Sequence, residues 1–171
     1  MSPSPFIVEW IGRIARERGL HPRALDVAMG RGRHAVALAR SGFRTFGVDV
    51  ALDAVREAMA AATRQGVRVD GWCADLTQHP LPRARFDLVV VCRYLQRDLF
   101  VDLGAALAPG GVVIYETFTT AQRALGRPPA SADHLLEPGE LRQRFDGFDL
   151  LCYEEVLAPD AVARLVARSR S

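Results

Sequence analysis

Apolar positions along this chain recur in two rhythms. From Pro5 to Gly19, residues Phe6, Ile7, Trp10, Ile11 and Ile14 fall at helical spacing, which predicts an opening amphipathic helix. Ser4 can cap it, Pro5 suits its first turn and Gly19 ends it. After His21-Pro22 a short apolar run, Ala24 to Ala28, predicts a strand, and the loop Met29-Gly30-Arg31-Gly32 leads to a helix over Arg33–Arg40. The alternation then repeats: a strand over Phe43–Val50, an alanine-rich helix over Leu52–Gln65 closed by Gly66, and a strand over Val67–Cys73.

Thr77 to Arg85 carries Pro80 and Pro82 and is too short for an ordinary helix, whereas Phe86 to Cys92 is continuously apolar, as a strand buried on both faces must be. Gln96 to Ala108 predicts a helix, Pro109-Gly110-Gly111 a turn and Val112 to Phe118 a fifth strand. A polar loop with Pro128-Pro129 follows, then a short helix over Pro138–Phe145. The last two strands, Phe148–Leu157 and about Val162–Ala167, are too close together for a parallel crossover, so they should pair antiparallel. The pattern is a doubly wound α/β domain with an antiparallel edge.

Composition narrows this picture. At 171 residues and 49% hydrophobic content the chain can form one core, so residues 1–171 are expected to be a single domain. No run approaches the roughly 20 apolar residues of a membrane span, and the opening residues lack the basic and apolar regions of a signal peptide, which favours a cytoplasmic protein. Cys73, Cys92 and Cys152 are dispersed and odd in number, and His21, His34, His79 and His134 lack metal-ligand spacing, so neither a disulfide framework nor a metal site is expected. Every basic residue is arginine. Without lysine there is no Schiff base to pyridoxal phosphate and no P-loop lysine. The net charge of +2 is too small to argue for nucleic acid.

In such a fold a ligand sits beyond the carboxyl ends of the strands, beside the glycine loop. Gly30-x-Gly32-x-x-Ala35, with Asp49 near the spacing of a ribose-binding acid, satisfies a loose dinucleotide fingerprint and keeps an NAD(P)-dependent oxidoreductase open. Asp26, four residues before Gly30, argues against it, because its carboxylate would repel a pyrophosphate and attract an ammonium or sulfonium. Asp49 can accept both hydroxyls of a ribose, Val50 can edge an adenine, and Asp75 can accept its amino hydrogens, flanked by backbone groups of Ala74 and Leu76. Each acid could instead cap the turn that follows it. Arg31 and Arg33 could serve a pyrophosphate, the carboxylate of a bound amino acid or an anionic substrate.

The run Leu25-Asp26-Val27-Ala28-Met29-Gly30-Arg31-Gly32-Arg33-His34, with Gly47-Val48-Asp49, Cys73-Ala74-Asp75-Leu76, Phe86 to Val91 and Ala108-Pro109-Gly110-Gly111, resembles the class I S-adenosylmethionine-dependent methyltransferases. The likeness is greatest to the small bacterial branch related to tellurite-resistance methyltransferases. It implies a Rossmann-like seven-stranded sheet of order 3-2-1-4-5-7-6 with strand 7 reversed. It also implies Asp26 and Gly30 at the methionine end of the cofactor, Asp49 on its ribose, Asp75 near adenine and a backbone contact from Cys92; Ala28, Met29, Gly32, Arg33, Val50, Ala74 and Leu76 are expected to contact the cofactor as well. Ala28 and Met29 stand where glycine and cysteine are frequent in the family.

Residues expected to meet the acceptor lie after the fourth and fifth strands: Arg93, Tyr94, Arg97, Glu116 and His134, with Arg123 and Arg127 nearby. Their arginines suggest a small polar or anionic acceptor such as a thiol or oxyanion. A non-catalytic cofactor-binding module is a further alternative. The stretch Thr119–His134 has the composition of a lid, and residues 1–20 could pack on the sheet, cover the cofactor or form a homodimer surface.

Overall fold

The computed structural model describes residues 2–17, 19 and 21–170. The elements run α1 (Pro5–Glu17), β1 (Arg23–Val27), α2 (Arg33–Arg40), β2 (Arg44–Asp49), α3 (Leu52–Arg64), β3 (Val69–Cys73), β4 (Phe86–Cys92), α4 (Phe100–Ala106), β5 (Leu107–Phe118), α5 (Glu140–Arg144), β6 (Asp149–Val156) and β7 (Val162–Arg168). The predicted end of α1 at Gly19 borders positions 18 and 20, which lie outside the described residues.

All seven strands form one sheet of order β3-β2-β1-β4-β5-β7-β6. β1 pairs in parallel with both β2 and β4, while β7 runs antiparallel between β5 and β6. The chain order reverses at β1 and β4, so the loops leaving these strands diverge and open a crevice at their carboxyl ends.

Successive side chains on each strand feed opposite faces. Leu25, Val27, Val89, Val91, Val113 and Tyr115 meet Leu103 and Ala106 of α4 and Leu141 of α5 on one face. Leu88, Val90, Ile114 and Val166 meet Ile7, Ile11 and Ile14 of α1 and Leu38 of α2 on the other. Each of these α1 isoleucines is fully buried and contributes about 1.5–3 kcal/mol. Thus α1 packs on the sheet through the predicted stripe.

Three expectations change. The helix predicted over Gln96–Ala108 is a 3-10 turn at Arg97–Leu99 followed by α4, because Leu107 already pairs with Phe86 of β4. Pro109-Gly110-Gly111 does turn, with Gly110 at φ +71, but it does so inside β5: pairing resumes at Leu88 with Val112, so the intervening segment bulges out of register. The Ser4 hydroxyl caps nothing. Its Oγ is buried without a hydrogen-bond partner, and the Ser4 amide instead donates to His34 Nε2 at 2.9 Å. Among the described residues no helix is long and apolar enough to cross a membrane.

Candidate active site

The turn after β1 is built by two close approaches. A Cβ on Gly32, which has φ +77, would lie 2.6 Å from Ala58 Cβ, so glycine lets α2 and α3 pack together here. The Met29 side chain turns into the core, its Sδ filling the space that a side chain on Gly47 would need. Its backbone is committed as well, since Met29 N donates to Val48 O and Met29 O accepts from Gly32 N. Gly32 and Met29 therefore shape the loop by packing against α3 and β2. Ala28 adopts φ +52, the left-handed conformation for which glycine is favoured, and accepts the strain of a Cβ there.

Beyond this turn a cavity of about 230 Å³ is lined by Ala28, Asp49, Val50, Ala74, Asp75, Leu76 and Tyr94. Asp49 is fixed by backbone donors: Gly30 N to Oδ2 at 2.8 Å and Ala51 N to Oδ1 at 2.9 Å. These bonds are the capping role, and they leave lone pairs on both oxygens for further donors. Asp75 Oδ1 accepts from the Thr77 amide at 2.9 Å and its hydroxyl at 2.7 Å, and these bonds hold its pKa below the ordinary value. Gly30 faces open space: an added Cβ would meet nothing within 4 Å.

Asp26 lies on β1 and is only 1% exposed. Burial pushes its carboxyl up to about 7, although the Ala35 amide and the Arg33 guanidinium draw it partly back. Its Oδ2 has no hydrogen-bond partner. A buried carboxylate oxygen left without a donor fits the ammonium of a methionine-derived ligand. With the diol-accepting geometry of Asp49, this makes the residues present compatible with S-adenosylmethionine.

A second cavity of about 380 Å³ lies beside the end of β4, lined by the segment Ser2–Pro5, Arg33, Arg93, Glu116, Pro159, Asp160, Val162 and Arg164. Arg93 and Tyr94 are consecutive yet line different cavities, so Tyr94 stands with Asp49 and Asp75 and not with Arg93 and Glu116. Its hydroxyl donates to Gln96, and burial raises its pKa. Arg93, at φ +55, reaches Asp160 Oδ2 at 3.0 Å. Glu116 is 5% exposed and accepts Arg164 Nε on Oε2 at 2.7 Å, while Arg164 also contacts Glu154 and lies over the Phe6 ring. Cys92 Sγ lies 3.9 Å from Glu116 Oε1, and burial beside that carboxylate pushes the thiol up to about 12. It stays protonated and is a poor nucleophile. Arg33 lines this second cavity, its guanidinium 3.4 Å from Ser2 O and 3.6 Å from Cys92 Sγ. Burial and the charges of Arg33 and Arg93 push His34 down to about 4, so it stays neutral and accepts from Ser4 N.

Two predicted acceptor residues fall elsewhere. Arg97 grips Glu140 of α5 with bonds of 2.7 and 2.9 Å and also bonds Leu135 O, and this pairing pushes Glu140 down to about 2. Its charge is spent bracing α5. His134 is exposed on the 3-10 turn Ala132–His134 and lines neither cavity. The segment proposed as a lid is tied down: buried Gln122 donates to Pro128 O and Asp160, and accepts from Ala161 N. Arg127 bonds Pro159 O. Arg123 stays within its own loop, on Ala130 O. The sequence reading missed Asp160 and Arg164. Arg164 could have been noticed as a charge within the otherwise apolar run Val162–Ala167, which needs a buried partner. Among the described residues no cluster of three or more side chains could hold a metal ion.

Residues 24–111 match the family model described as methyltransferase domain. No curated protein sequence matches the chain. Among solved structures, it is similar to TehB from Haemophilus influenzae at 14% identity and TM-score 0.77, over 95% of this chain and 62% of that one. A methyltransferase described as S-adenosylmethionine-dependent from Methanosarcina mazei shares 16% identity over 99% of both chains, at TM-score 0.74. A protein studied for the conversion of a disulfide bond into a thioacetal group during echinomycin biosynthesis shares 19% identity over 99% of this chain and 82% of that one, at TM-score 0.76. At these identities the structures speak for the fold, and the family match speaks for the chemistry. The chain belongs to the methyltransferase domain family and has the seven-stranded class I fold.

Proposed function

We propose that this enzyme transfers the methyl group of S-adenosylmethionine to a small anionic or polar acceptor held in the cavity beside Arg33. The cofactor supplies an activated methyl on a sulfonium. Asp49 holds the ribose hydroxyls with the lone pairs its backbone bonds leave open, Asp75 and Tyr94 border the adenine, and Asp26 Oδ2 takes the ammonium. Residues 1–171 act as one domain, with the segment before α1 forming a wall of the acceptor cavity.

The observation that carries the acceptor reading is the charge left over in the second cavity. Arg93 is matched by Asp160, and Arg164 by Glu116 and Glu154, whereas among the described residues the Arg33 guanidinium bonds a carbonyl and a thiol and forms no ion pair. One guanidinium and the unpartnered Ser4 Oγ thus remain to receive an oxyanion, a thiolate or a small carboxylate. Charge disappears as the methyl moves, so these residues act chiefly by aligning the nucleophile and excluding water. For an acceptor that arrives protonated, Glu116 and Asp160 are the carboxylates that line the cavity.

The test uses labelled cofactor with panels of thiols, oxyanions, small carboxylates and amines. Turnover should concentrate in the anionic acceptors. Arg33→Gln should lower kcat/KM for them about tenfold, as expected for a lost charge-assisted contact, while S-adenosylhomocysteine affinity holds. Preference for neutral amines, or an Arg33→Gln variant with weakened cofactor and unchanged acceptor kinetics, would reassign Arg33 to the methionine carboxylate.

A further inference from the structure

Away from both cavities, the sheet face that carries α4 and α5 is left bare at one end. β3 passes to β4 through residues 74–85, which form no helix, whereas α4 and α5 contact β4, β5 and β7. A parallel sheet ordinarily has helices over both faces. Here the gap leaves a cavity of about 250 Å³ walled by Phe46 of β2, Trp72 of β3, Phe86 of β4 and Pro82, with Arg23 and Arg85 at its rim. Phe46 and Phe86 stand edge to face, with centroids 5.9 Å apart, and the Arg44 guanidinium lies 5.2 Å from the Phe46 ring centre.

The arginines are the informative part. The guanidinium groups of Arg23 and Arg85 have no carboxylate partner among the described residues, although this chain pairs many of its arginines. Both rim the same aromatic walls, and the Arg44 guanidinium lies over a ring face with no ion pair among the described residues. Aromatic walls favour a flat ring, guanidinium groups favour a carboxylate, and the volume is small for a binding site. We infer that this cavity is a second ligand site, distinct from the methyl-transfer centre, for a small planar aromatic carboxylate that stacks between Trp72 and Phe46 and pairs with Arg23 and Arg85.

Titration of the full chain with 2-naphthoate, followed by tryptophan fluorescence and calorimetry, tests this assignment. Saturable binding is expected both with and without saturating S-adenosylhomocysteine, and should weaken at least about tenfold for 2-naphthylmethanol, cyclohexanecarboxylate and the Arg23→Gln/Arg85→Gln variant. These arginines are rim residues, so the variant should keep its thermal midpoint and its cofactor affinity. Trp72→Phe should remove the fluorescence response and retain the calorimetric signal, because the other tryptophan, Trp10, lies on α1. Absence of saturable binding, equal binding of the neutral naphthyl probe, or displacement by S-adenosylhomocysteine would overturn the inference. So would a dimer dispersed by the double variant, which would make the cavity an interface between two copies of the chain.

Discussion

The two cavities flanking the end of β4 handle charge in opposite ways. Around the adenosyl crevice, Asp49 and Asp75 are held by neighbouring backbone amides and by Thr77, so each carboxylate is positioned yet keeps its charge available. In the second cavity the acids are held by arginines from distant parts of the chain: Glu116 by Arg164 and Asp160 by Arg93. Backbone dipoles orient a carboxylate without neutralising it, whereas a guanidinium cancels it. One region therefore presents carboxylates that keep their charge, and the other is a wall braced by ion pairs.

Removing the most exacting recognition group should have the largest effect. Asp49→Ala takes away the diol acceptor and frees the Gly30 and Ala51 amides, so calorimetry should show S-adenosylhomocysteine binding weakened roughly 100-fold, about 3 kcal/mol. Retained affinity would mean that Asp49 only caps the loop.

The second cavity should respond in stability instead. Arg164→Gln leaves buried Glu116 without its partner and should cost about 2 kcal/mol, lowering Tm by roughly 6 °C in thermal unfolding, while cofactor affinity of the folded protein is kept. Loss of cofactor binding with unchanged Tm would erase the contrast between the regions.

The proposed role of Asp26 would link proton and cofactor binding. Its carboxyl is raised to about 7 by burial, so a cationic ligand must bind the ionised form. Affinity for S-adenosylhomocysteine should fall about tenfold per pH unit below that value and level off above it, a dependence absent from Asp26→Asn. In the ligand-free protein the sign is opposite. Between the ordinary value of 3.8 and about 7 the native state holds a proton that the unfolded chain releases, so stability declines as pH rises through that window. Equilibrium unfolding at pH 5 and pH 8 checks it.

The smallest effect concerns the turn itself. Ala28→Gly relieves the left-handed strain but increases unfolded-state freedom, and should raise stability by no more than about 1 kcal/mol in denaturant melts. A marked loss would show that the Ala28 methyl packs more than it strains.

The crevice was legible because its residues follow local rules. Asp49 and Asp75 close strand-to-loop junctions, and Gly30 opens the turn between a strand and a helix, all within periodic segments that set their positions. For Met29, sequence position alone does not reveal that the side chain enters the core over Gly47. For Arg97 and His134 the reason is different. They follow ligand-bearing strands in the chain, yet Arg97 finds a closer partner in Glu140, and His134 rides on a segment anchored elsewhere by Gln122.

Hydrophobic periodicity, strand spacing and the glycine loop determined the doubly wound sheet, the antiparallel pairing of the last two strands and the acids at the strand ends, because each depends on neighbours a few residues away. Tertiary structure alone decided which charges survive. Glu116 meets Arg164, Arg93 meets Asp160, and Ser4 meets His34 across long stretches of chain, and such pairings depend on side-chain reach in three dimensions that periodicity does not encode.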